Sequence, residues 1–244
     1  MREHNFIKEY YDKYVKDKDY EKERWFKDNA SKERYEETKK TIIFLLGKEN
    51  YKDVLDIGCG PGTWSKLLIE KSKKLFLVDI SKEMLKQAKK KLKLEKNIKY
   101  MCSDFLNFKT RKKFDLIFSV RAIEYMTNKK KVIKKMFEML KNKGKVIIIT
   151  KNPARRWRYL LFGKQVEEIH KNWASSSEIR KVLEEVGFEK IKHYPAVFSV
   201  FPFPNFFLTR KINGFVHSLF YKNQIKNLMV PFLESYVVVA YKLL

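Results

Sequence analysis

The chain has 244 residues, 44% hydrophobic and 15% aromatic, enough for one domain with a sizeable core and too few for two full domains. Lys and Arg total 54 against 29 Asp and Glu, a formal net charge of +25. Two cysteines without metal-ligand spacing, the absence of a long apolar run, and a polar start at residues 1–5 argue against a disulfide framework, a metal site, a transmembrane helix and a secretory signal. A reducing, cytoplasmic setting is the expectation.

Residues 1–47 set Tyr10, Tyr11, Tyr14, Tyr20, Trp25, Phe26 and Tyr35 in a charged background. They are expected to be helical, with 41–46 as a buried last turn and Gly47 as the stop. The pattern then becomes regular. Strand-like apolar runs fall at 54–57, 75–78, 98–101, 114–120 and 145–150, separated mostly by helical stretches at 63–71, 82–94 and 130–141. This alternation predicts a parallel sheet with helices on both faces. After Thr150 the rhythm breaks at Asn152-Pro153. A helix is expected over 177–186, with 175–177 as N-cap candidates and Gly187 as its stop. A strand follows at 188–194, and 235–244 is expected to be the final strand. Cys59 and Cys102 both fall inside expected core elements.

The chemistry concentrates at three strand ends. Asp56 closes the first strand and precedes Gly58-Cys59-Gly60-Pro61-Gly62. Asp79 closes the second strand, and Asp104-Phe105 follows the third. In a doubly wound sheet, ligands sit beyond the carboxyl ends of the strands, so the three acids are expected on one rim. An acid at position 79 can accept hydrogen bonds from both hydroxyls of a ribose. Asp104 can accept one from an adenine amino group, with Ile80 and Phe105 beside the ring. The glycine spacing is Gly-x-Gly-x-Gly, unlike the Gly-x-Gly-x-x-Gly of a dinucleotide site. An acid two residues ahead of it suits a positively charged cofactor better than a pyrophosphate. Both features point to S-adenosyl-L-methionine.

The stretch 54–63, with Asp79, Asp104-Phe105 and Phe114-Asp115-Leu116-Ile117, resembles the class I S-adenosylmethionine-dependent methyltransferase family. The resemblance implies an α/β, Rossmann-like three-layer sandwich with a seven-stranded, mostly parallel sheet and an antiparallel last strand. It also implies that S-adenosyl-L-methionine binds, leaving S-adenosyl-L-homocysteine as product. Gly58, Gly60 and Gly62 would wrap the methionine portion and Asp56 would support it. Asp79 would hold the ribose and Asp104 the adenine. Cys59, Ile80, Phe105 and Val120 complete the expected cofactor site. Cys59 is read as a small packed residue, Asp115 as structural, and no metal is expected.

The segment 119–126 (SVRAIEYM) normally borders the methyl acceptor. It lacks the Asn/Asp-Pro-Pro-aromatic tetrad that serves base amines. With 170–173, it is similar to the corresponding segments of ubiquinone-biosynthesis O-methyltransferases, although Tyr125 stands where those have His. His170 is the candidate general base. Glu124 is a candidate for orienting either the acceptor or a neighbouring helix.

The organisation expected is one domain over 1–244. It comprises an N-terminal cap at 1–47, a cofactor-binding core at 48–150, and substrate-side insertions at 151–174 and 195–232. The insertions mix basic, aromatic and proline residues, as an interfacial element or a cover over an apolar acceptor would. The leading expectation is O- or N-methylation of a small acceptor, apolar, lipid-like or membrane-associated, with peripheral contact to an anionic membrane. One alternative is an RNA methyltransferase that uses the basic surface. Another is a cofactor-binding module without turnover. The charge admits two origins, a polyanionic partner or a lysine-rich composition.

Overall fold

The computed structural model describes residues 2–16, 18–155, 172–199, 207–225 and 227–243. The apolar runs form strands β1 (Tyr51–Ile57), β2 (Ser72–Asp79), β3 (Ile98–Cys102), β4 (Phe114–Val120), β5 (Leu140–Lys151), β6 (Glu189–Phe198) and β7 (Leu233–Tyr241). The helices are α1 (Arg2–Val15), α2 (Asn29–Leu46), α3 (Lys66–Ile69), α4 (Lys82–Lys91), α5 (Lys129–Met139), α6 (Ser176–Val186) and α7 (Phe207–Phe220).

The strands form one sheet in the order β3-β2-β1-β4-β5-β7-β6. The first five pair in parallel, and β7 runs antiparallel to both β5 and β6. The expected architecture is therefore present, with the antiparallel strand inserted between its neighbours. Strand order reverses between β1 and β4, so a crevice opens at their carboxyl ends.

Side-chain alternation divides the core between the two faces. Leu55, Ile57, Phe76, Val78, Ile117 and Ile148 pack with Val132, Met136, Ile179 and Leu183 of α5 and α6. Val54, Leu75, Leu77, Phe118 and Ile147 pack with Ile42, Leu46, Leu68 and Leu85 of α2, α3 and α4. Helix starts follow local chemistry. Asp28 Oδ1 accepts from Ser31 N at 2.7 Å, and Ser81 Oγ accepts from Met84 N at 3.1 Å. Ser175 and Glu178 form a reciprocal capping box that opens α6, and Gly187 closes it at φ 103°.

Three expectations need correction. The helix over 63–71 shrinks to α3, because residues 61–65 spend themselves on turns that carry Trp64 and Ser65 inward. The segment 41–46 is only partly buried. Thr41, Ile42 and Leu46 face the sheet, while helical rotation leaves Ile43 52% and Phe44 37% exposed. Cys59 is buried, but Cys102, at the end of edge strand β3, is exposed.

Candidate active site

The carboxyl ends of β1, β2 and β4 open into a cavity of about 1080 Å³ counted with its mouth. One wall is the glycine loop. Gly58 N and Cys59 N donate to Val78 O at 2.8 and 3.3 Å, which ties the loop across to β2. Gly58 has φ 66°, and a Cβ there would lie 2.2 Å from Ala122 Cβ. Only glycine lets the loop press so closely on the segment after β4. Gly60 N donates to Asp79 Oδ2 at 2.7 Å, and Ser81 N donates to Asp79 Oδ1 at 2.9 Å. Burial pushes the Asp79 carboxyl up to about 6 against the pull of these hydrogen bonds. Asp104 stands on the same wall, its Oδ1 accepting from Leu106 N at 2.6 Å. Ile80, Phe105, Cys59 and Val120 also line the space. Burial drives the Cys59 thiol well above its ordinary range, so it is a packed neutral group.

Three candidate residues are turned away from the cavity lining. Asp56 follows strand alternation to the α3 side, where its Oδ2 accepts from Ser65 Oγ at 2.6 Å. It is 2% exposed, and burial raises it to about 7. Its place is behind the loop, bracing it. Gly62 packs under α4, where a Cβ would come within 2.9 Å of Leu92 Cδ1. Glu124 is 1% exposed, and its Oε2 accepts from Lys151 N at 3.1 Å and Thr150 Oγ1 at 3.3 Å. It fastens the turn Ile123–Tyr125 to the end of β5. Its two sequence readings point to the acceptor or a neighbouring helix; these partners lie at the end of β5, and Glu124 does not line the cavity. His170 lies outside the described residues, as do 156–171 of the first insertion and 200–206 of the second.

The opposite wall comes from the N-terminal segment. Ile7, Tyr11, Tyr20, Arg24 and Trp25 line the cavity together with Arg121, Tyr125 and Met126. The segment is fastened where it crosses the core. Asp12 Oδ1 accepts from Ser81 Oγ at 2.6 Å and from Glu83 N at 3.3 Å, at the start of α4. Gln87 Nε2 donates to Lys18 O at 2.7 Å. Glu21 pairs with Lys66 and Lys91. Trp25 meets Trp64 edge-on with ring centroids 5.1 Å apart, and Tyr35 stacks on Trp64 at 4.9 Å. The sequence signal for this wall was its unusual aromatic density, which gives no address for the side chains.

The Tyr11 hydroxyl hydrogen-bonds that of Tyr125, and their rings meet edge-on at 5.6 Å. Burial, reinforced by neighbouring groups, raises both phenols well above the ordinary range. They are neutral at physiological pH and can donate hydrogen bonds. Among the described residues, no group of three or more His, Cys, Asp or Glu residues could hold a metal ion.

A methyltransferase-domain family model matches residues 54–144, which contain the glycine loop and both wall acids. A malonyl-[acyl-carrier protein] O-methyltransferase of Ilyobacter polytropus is 28% identical over 148 residues, covering 59% of this chain and 57% of that protein. The match thus spans little more than half the length of that curated relative. An uncharacterized protein of Methanocaldococcus jannaschii is 31% identical over 195 residues, covering 77% of this chain and 85% of that one. Among solved structures, the N-methyltransferase NodS of Bradyrhizobium japonicum, crystallised with S-adenosyl-L-homocysteine, superposes with a TM-score of 0.61 at 16% identity, covering 90% of each chain. The sheet order, the glycine loop and these matches define the class: the chain belongs to the class I S-adenosylmethionine-dependent methyltransferase family.

Proposed function

We propose that this protein transfers a methyl group from S-adenosyl-L-methionine to an oxygen or nitrogen of a small acceptor that is apolar or membrane-associated. The observation that carries the reading is one cavity with two unlike walls. The first presents Gly58, Gly60, Asp79 and Asp104, and the second presents Tyr11, Tyr20, Trp25 and Tyr125. The first wall fits the cofactor. A buried carboxylate at a strand end accepts hydroxyl hydrogen bonds, and glycines without Cβ let a ligand approach the loop backbone closely. Asp79 would hold the ribose, Asp104 and Phe105 the adenine, and the Gly58–Gly60 backbone the methionine portion. Bound there, S-adenosyl-L-methionine supplies an electrophilic methyl carbon on sulfur. The chain's own part is to align the acceptor, exclude water and place hydrogen bonds; the aromatic wall does all three.

The apolar side of the reading rests on α7. Leu208, Phe215 and Leu219 are 58%, 64% and 52% exposed on this helix. Together with the +25 charge, such a face suits contact with an anionic bilayer. Among the described residues no helix is long and apolar enough to cross a membrane, so peripheral contact is the proposal. The same charge favours RNA as a second reading.

Tritiated methyl incorporation into fractionated lipid, small-molecule and RNA extracts tests both. Label in the lipid or small-molecule fraction supports the first reading. Label confined to RNA replaces it with the second. Cofactor binding without label in any fraction points to a module that binds and does not turn over. Binding to phosphatidylglycerol vesicles is expected to weaken with salt and to fall on Phe215→Ser with Leu219→Ser. Salt-independent absence of binding would sink the membrane contact.

A further inference from the structure

The cavity is electrically polarised. Its cofactor wall carries Asp79 and Asp104, while Arg24 and Arg121 line the remainder. Arg121 is the unusual residue. It follows β4 directly, in a left-handed backbone conformation of φ 60° rarely adopted outside glycine, held by its N–H to Ile149 O at 2.8 Å. Its Nε and Nη1 are buried without a hydrogen-bond partner. Among the described residues, no carboxylate comes within ion-pair distance of Arg24 or Arg121.

The surroundings favour the charge of Arg24, but at Arg121 burial outweighs the nearby negative groups, so Arg121 is the under-compensated cation. Glu124 and Glu234 act on both half-buried guanidinium groups from a distance, but Lys151 adds a buried cation beside them. Glu124 already spends one oxygen on Thr150 and Lys151 and does not line the cavity. An unpaired buried charge is costly, and a chain that keeps one beside a second like charge gains most when a ligand supplies the counter-charge. The planar guanidinium fork matches carboxylate and phosphate oxygens, pairing with them through two parallel hydrogen bonds.

We propose that Arg121, with Arg24 beside it, is the recognition site for an oxyanion, carboxylate or phosphate, carried by the methyl acceptor. The proposal rests on the methyltransferase reading for its assignment to the acceptor. It narrows the substrate class from apolar to amphiphilic: an apolar body against Tyr11, Tyr20 and Trp25, and an anionic group at the arginines. An oxyanion held there also fixes the acceptor's register against the cofactor wall, so Arg121 is a specificity-determining residue.

Titration calorimetry on the full chain, saturated with S-adenosyl-L-homocysteine, tests this with octanoate, octyl phosphate and neutral octanol. The two anions are expected to bind at least ~10-fold more tightly than octanol, about 1.4 kcal/mol. Comparing octanoate with octyl phosphate tells which oxyanion is preferred. Arg121→Gln and Arg24→Gln should each erode the preference, and Arg121→Lys should retain part of it. If Arg121→Gln does not fold, Arg24→Gln carries the test alone. Equal binding of anions and octanol overturns the proposal. So does weakened S-adenosyl-L-homocysteine binding with unchanged anion preference, which would reassign the arginines to the cofactor's own carboxylate. Failure of S-adenosyl-L-homocysteine to bind the unmodified chain at all would instead sink the methyltransferase reading, and the anion preference would then be read on the free protein.

Discussion

Asp79 concentrates the chemistry of the cofactor wall in one side chain. It joins the glycine loop to the start of α4 through Gly60 N and Ser81 N, and it lines the cavity. Asp79→Ala removes both the proposed ribose contact and a loop tie. Charge-assisted hydrogen bonds contribute about 1.5–3 kcal/mol each, so cofactor affinity by calorimetry should fall roughly tenfold to hundredfold. Its pKa of about 6 adds a pH signature. Only the ionised carboxylate is acceptor-only toward ribose hydroxyls, so affinity should be flat above pH 7 and decline as pH falls through 6. An unchanged dissociation constant between pH 7.5 and 5 would remove Asp79 from the ribose contact. This residue was legible in the sequence because a strand end fixes where its last side chain points. Asp56 was misplaced by the same kind of reading. The residue was correctly set in β1, but one step of alternation sends it behind the loop to Ser65.

At the scale of elements, the site depends on how α1 is laid across the core. The helix presents Ile7 and Tyr11 to the cavity, and its neighbour Asp12 reaches the first turn of α4. A carboxylate at a helix N-terminus satisfies orphan amides and complements the helix dipole. Asp12→Ala should cost about 1 kcal/mol, a fall of roughly 2–4 °C in the thermal midpoint for a chain of this size. The variant should also weaken cofactor binding, since the wall bearing Tyr11 and Arg24 is then less firmly held. A variant with an unaltered midpoint and unaltered binding would show α1 to be a bystander. Neither contact was legible beforehand. Asp12 and Ser81 are 69 residues apart in sequence, and nothing local to either requires the other. The start of α6 was legible to within the serines at 175–177, because an N-cap acts on the helix's own first turn.

For the whole molecule, buried titratable groups set the dependence of stability on pH. Burial, with the charge of Glu234, raises Glu37 to about 8, and burial raises Asp56 and Asp79 to about 7 and 6. Between its unfolded and native values, such an acid binds more protons in the native state, so stability falls as pH rises through that window. Burial lowers His193 and His217 to about 4 from 6.5. Each binds fewer protons when folded, so stability rises with pH from about 4 to 6.5. The two trends oppose one another up to pH 6.5, and above it only the acids act. From pH 4.5 to 6 the three acids outweigh the two histidines, and from 6 to 6.5 the remaining acids and the histidines balance, so thermal midpoints should be highest near pH 4.5, level off near pH 6–6.5 and decline again toward pH 8. Glu37→Gln should flatten that decline while leaving the midpoint at pH 5 nearly unchanged. A decline of the same size in the variant would exclude Glu37 as its source.

The sequence by itself determined the sheet, the glycine loop and the position of Asp79 at the end of β2. Strand alternation, turn chemistry and helix caps act within a few residues, and a strand end carries its ligand position with it. Only the tertiary structure decided the wall opposite the glycine loop. Tyr11, Tyr20 and Arg24 come from the N-terminal segment, Arg121 and Tyr125 from the turn after β4, and their meeting depends on long-range packing. Tertiary packing likewise fastened Glu124 to the end of β5 instead of the cavity. The physical reason is one of range: the wall with the glycine loop is built by local rules at strand ends, and the aromatic wall opposite by contacts between distant parts of the chain.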